Sequence, residues 1–133
     1  MLNPYQQYAQ NQVNTARPEE LTLMLYKGAV KFITLAIKAL DDKAMEEAHH
    51  NIIRAQDIYY ELLSTLDHKY EISKNLASLY DYLISLLVSA NLKKDKALLE
   101  DAFGMAKEFA EVWEEAIKIY RKSQLHVTGP NND

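Results

Sequence analysis

Proline is absent from Glu19 to Gly129, and glycine occurs in that stretch only at Gly28, Gly104 and Gly129. A run of this length without a hard breaker predicts long helices joined by short links. The run begins with Pro18–Leu40, almost wholly apolar after its first turn. Wound at about 100° per residue, its Lys27, Lys31 and Lys38 share one narrow stripe with Glu20. A helix this apolar around its circumference is enclosed by other helices or by lipid. Three lysines at membrane depth are costly, and Glu19 and Glu20 stand where a signal peptide carries basic residues. The expectation is therefore the central stave of a soluble bundle, with no membrane span.

The chain has 133 residues, enough for one domain with a real core. It has no cysteine, hence neither disulfides nor thiolate metal ligands. Its net charge of −4 disfavours nucleic acid, which requires a basic face.

Residues 1–17 differ from the rest, with four glutamines, three asparagines and no acid. Tyr5 and Tyr8 are three apart, so one helical turn places both rings on one side. Too polar for core, the segment is expected to lie across an apolar groove as a detachable lid.

Pro18 suits the first position of a helix, and Glu19 and Glu20 suit its positive end. That helix is expected to reach about Leu40, with Asp41 or Asp42 free to cap the next. A second helix, 44–66, carries Ala48, Ile52, Ala55, Tyr59 and Leu62 at i, i+3, i+4 spacing. Ser73 is the expected cap of a third helix to Asn91, whose apolar residues span roughly 240° of arc. Asp95 is the expected cap of a fourth, 96–122, with Leu98, Met105, Phe109, Val112, Trp113, Ala116, Ile119 and Tyr120 inward. The tail, 123–133, lacks an apolar pattern and is expected to be disordered. Helices this long with links this short run antiparallel to their neighbours. The fold expected is all-α, an antiparallel up-down four-helix bundle over 18–122 with the lid segment appended.

Helices 2 and 3 carry more apolar surface than one core can use. Ile53, Tyr60, Tyr82, Ile84, Leu86 and Val88 are the candidates for that excess, and exposed contiguous apolar surface marks a partner site. Catalytic patterns are missing. Glu46-x-x-His49 and Glu47-x-x-His50 have the spacing of a di-metal bundle site, but the second such pair it needs is absent. They read better as a solvated helix start, without a metal. There is no Gly-x-Ser-x-Gly elbow and no glycine-rich phosphate loop. No enzyme and no cofactor are expected, and function falls to binding. A generic helical adaptor or self-associating bundle is the alternative reading.

Several short pieces, in order and spacing, carry a family likeness. They are Asn3-Pro4-Tyr5 with Tyr8, Val13-Asn14-Thr15-Ala16, Pro18-Glu19-Glu20-Leu21 and Met24-Leu25-Tyr26-x-Gly28 with Phe32. Ala55-Gln56-Asp57-Ile58, Leu66-Asp67, Leu79-Tyr80-Asp81-Tyr82, Ala90-Asn91 and Trp113 follow. Over residues 3 to 120 the chain resembles the flagellar secretion chaperones of the FliS type. Arg17 departs from the Ser or Thr usual before the proline. The resemblance implies a cytoplasmic, non-enzymatic chaperone of type III flagellar export. It implies binding of the disordered C-terminal segment of flagellin, blocking premature polymerisation. Tyr5 and Tyr8 would then both cover the empty groove and help dock on the export gate. An anti-sigma factor or a flagellin-competing regulator is a further partner in some members.

Overall fold

The computed structural model describes residues 16–127, with backbone alone for 126 and 127. Tyr5, Tyr8, residues 1–15 of the lid segment and residues 128–133 of the tail lie outside the described residues. Four helices make up the described chain: α1 (Pro18–Asp41), α2 (Met45–Ser64), α3 (Ile72–Lys93) and α4 (Lys96–Val127). Each packs on the one before it, and α4 closes the ring on α1. Pairings fix the directions. Asp41 meets Lys96, Lys27 meets Glu114 and Glu20 meets Arg121, so α1 and α4 are antiparallel. His49 near the start of α2 opposite Asn91 near the end of α3 does the same for that pair, and the two-residue link between Lys93 and Lys96 turns α4 back along α3. The architecture is the up-down bundle that the sequence predicts.

Local chemistry explains most of the ends. Pro18 opens α1, and the backbone N–H groups of Glu20 and Leu21 both donate to Arg17 O at 2.9 Å. Arg17 supplies no side-chain cap. Asp95 caps α4 as expected, its carboxylate accepting from Ala97 N (2.9 Å) and Leu98 N (3.4 Å). Lys94 ends α3 in the left-handed region at φ 51°, and its ammonium donates to the Asn91 carbonyl and side-chain oxygens at 2.7 and 2.8 Å. That charge-assisted pair offsets the strain of a non-glycine residue there.

Four expectations need correcting. Ser73 does not cap α3; the helix begins at Ile72, and the buried Ser73 hydroxyl donates to Asp67 O at 2.6 Å, closing the α2–α3 link. Neither Asp41 nor Asp42 caps α2, whose N-cap is Ala44; Asp41 pairs with Lys96 across the bundle end. The fourth helix does not stop near Lys122 but continues to Val127. Nor is α1 a central stave: it has two neighbours and turns Met24, Leu35 and its lysines to solvent.

The core explains the remaining difference. Its large side chains are Tyr59, Tyr80, Ile33, Ile52, Leu83, Leu87 and Leu99. Alanines fill the gaps between them: Ala29, Ala36, Ala48, Ala55, Ala102 and Ala106 are all fully buried. On α4 the inward row is Leu99, Ala102, Ala106, Ala110 and Ile117, so Val112, Ile119 and Tyr120 are exposed. Small side chains let helix backbones approach closely, and tight packing favours them over bulk. Among the described residues no helix is long and apolar enough to cross a membrane.

Candidate functional site

The exposed bulk on α4 has a counterpart on α3. Together they form the walls of an apolar cleft of about 460 Å³. Ile72, Leu76 and Leu79 line it from α3, and Met105, Phe109, Val112, Trp113 and Ala116 from α4. Tyr26 of α1 forms the floor. Ile72 and Val112 are 64% and 62% exposed at the rim, a large apolar exposure for a folded chain. Along α4 the lining runs from 105 to 116, a track of roughly 16 Å or three helical turns.

The floor is aromatic. The Tyr26 ring stacks on Phe109 at 5.7 Å and meets Trp113 edge-on at 6.1 Å. Tyr80 backs Phe109 at 5.5 Å, and its hydroxyl bonds that of Tyr26. Behind it lies Tyr59, its ring 6.1 Å from Tyr80 and its buried hydroxyl without a partner among the described residues. Burial holds all three phenols above their ordinary pKa, so they remain neutral. The Trp113 indole N–H donates to Glu19 O at 2.9 Å, tying α1 to the cleft. Lys27 and Glu114 pair at 2.6 Å, and Arg121 bonds Glu20, fastening α1 to α4 beside it. Lys27 holds the Glu114 carboxyl below the usual range.

The candidates on helices 2 and 3 do not form one groove. Tyr82 and Leu86 lie at i+3 and i+7 from Leu79, on the same side of α3, and neither is among the residues that line the cleft. Tyr82 is exposed and Leu86 half-buried. Ile53 and Tyr60 share a row with His49, and Val88 shares one with Asn91. The His49–Asn91 hydrogen bond (2.9 Å) marks these rows as the two sides of the α2–α3 seam. Ile53 is half-buried there, while Tyr60 and Val88 are exposed. Ile84 is a correction: at 7% exposure it belongs to the core, where the α2–α3 interface absorbs it. The apolar cleft thus lies between α3 and α4. Sequence reasoning missed Ile72, Leu76, Leu79 and Met105 as its lining. The signal was present in the second apolar row on α4, beside the alanine row that packs inward.

Glu46, Glu47, His49 and His50 are exposed, and among the described residues no group of three or more His, Asp or Glu is placed to hold a metal. The cleft lining offers burial and a few polar atoms.

A family model described as Flagellar protein FliS matches residues 1–120. The Flagellar secretion chaperone FliS of Bacillus subtilis (strain 168) is 45% identical over 122 residues, covering 92% of each chain. That of Campylobacter jejuni is 32% identical over 113 residues, 84% of this chain and 88% of the relative. The Flagellar secretion chaperone FliSB of Pseudomonas aeruginosa is 30% identical over 116 residues, 85% of this chain and 92% of the relative. A match across nearly the whole chain, on a four-helix bundle with an open apolar cleft, leaves one assignment: the chain belongs to the FliS family of flagellar proteins.

Proposed function

We propose that this flagellar secretion chaperone takes the C-terminal segment of flagellin as a helix in the α3–α4 cleft. The observation that carries the reading is the open apolar track over the aromatic floor. Three turns of track accept a client helix with anchors at i, i+3, i+4 and i+7. Ordering a disordered segment costs roughly 2–5 kcal/mol, and one buried Leu or Phe returns about 1.5–3 kcal/mol. Two or three anchors therefore suffice. Tyr82 and Leu86 offer further contact on the same side of α3, and Ile53, Tyr60 and Val88 offer a second strip for the client as it passes the α2–α3 seam. Tyr5 and Tyr8 cover the cleft when it is empty and, once displaced, are free to dock on the export gate. Binding, without a chemical step, keeps the client from polymerising in the cytoplasm. Where an anti-sigma factor or a flagellin-competing regulator uses this chaperone, it meets the same apolar surface.

The test is calorimetric titration of the cognate flagellin C-terminal fragment. One-to-one binding to the parent chain, with a loss of at least about tenfold in Val112→Asn, is expected, since an amide without a partner resists burial. Val112 is exposed, so the variant folds. Equal affinity for parent and variant would remove the cleft as the site.

A further inference from the structure

One lining residue of the cleft is out of character: Glu108 alone is charged. It belongs to a row. Asp101, Glu108 and Glu115 stand seven apart on α4, a spacing that drifts only about 20° per step. They follow the solvent edge of the lining formed by Met105, Val112 and Ala116. The other acids of α4 are engaged. Glu100 pairs with Lys96 at 3.8 Å, Glu111 with Lys107 at 3.8 Å and Glu114 with Lys27 at 2.6 Å. Asp101, Glu108 and Glu115 make no ion pair among the described residues. The paired acids thus brace the helix, while the unpaired ones share the cleft's edge. Across the cleft, Asn75 and Tyr82 of α3 are uncharged, and Glu71 stands at the end of that wall beside Ile72.

We infer that this acidic edge is the client selector of the cleft: it takes an amphipathic helix that flanks its apolar stripe with Lys or Arg. The inference rests on the proposed function. A client with basic residues along the α4 edge has apolar contact and Coulomb attraction together. The attraction also speeds encounter, since rim charges act mainly on association and on salt dependence.

The experiment uses the full-length chain and its triple variant Asp101→Asn/Glu108→Gln/Glu115→Gln, with the cognate flagellin C-terminal fragment as probe. A second probe has the fragment's Lys and Arg replaced by Gln. Exposed ion pairs contribute up to about fivefold each, so the triple variant is expected to lose about tenfold in affinity for the native fragment at low salt. The loss disappears near 0.5 M salt, where the screening length is roughly 4 Å. The neutralised fragment binds parent and variant alike. If the native fragment binds the triple variant as tightly as the parent, the selector is refuted and the cleft reading survives. A cognate fragment with no base on its helical flank refutes it as well. If the native fragment fails to bind the parent chain at all, the proposed function falls and the selector with it.

Discussion

At the scale of single residues, the floor of the cleft is a polar problem solved in part. Tyr26 and Tyr80 satisfy each other's hydroxyls, but Tyr59, fully buried, has no partner among the described residues. Removing an unpaired buried hydroxyl removes a desolvation penalty, so Tyr59→Phe is expected to hold or raise stability by up to about 1 kcal/mol in urea unfolding. The same phenols set a pH limit. Burial raises their folded pKa above the 10.0 of the free side chain. Below pH 10 both states are protonated and the fold has its full stability. Above pH 10 the unfolded chain loses protons that the folded chain keeps, so stability falls as pH rises. Alkaline titration followed by circular dichroism should show that decline beginning near pH 10, with a shallower slope for Tyr59→Phe.

At the scale of helices, what was legible had strong periodicity or an explicit cap. Pro18 with Glu19 and Glu20, and Asp95, fixed two starts because their chemistry is local. The start of α3 was misread because Ser73 has a better partner in Asp67 O, a contact made only once the link folds. The inward face of α4 was misread because hydropathy favours Val112 and Ile119 over Ala102 and Ala106. Backbone approach is decided by volume, which favours the alanines. Gly104 lies in that helix with nothing within 4 Å of where a Cβ would stand. Gly104→Ala is accordingly expected to stabilise the chain by roughly 0.5–1 kcal/mol, read as a raised melting temperature.

For the molecule as a whole, the sequence announced an excess of apolar surface and a four-helix ring, but not where the excess gathers. That location depends on the phase of α4 against α3, a property of the packed pair and of neither helix alone. Tyr82 and Leu86 lie on α3 outside the residues that line the cleft, Ile53, Tyr60 and Val88 lie in rows beside His49 and Asn91, and Ile84 is buried in the core. Deleting residues 1–16 tests the proposed cover. The bundle is expected to keep its helical circular dichroism and to bind more of an apolar dye. A deletion that unfolds the chain would make the segment part of the core instead.

The lone tryptophan of the chain is Trp113. Its indole sits in the cleft wall, hydrogen-bonded to the first turn of α1 and edge-on to Tyr26. Intrinsic fluorescence therefore reports on this one spot without any label. The emission colour tracks how wet the indole is, so arrival or departure of an occupant is read optically, in real time, on the unmodified protein.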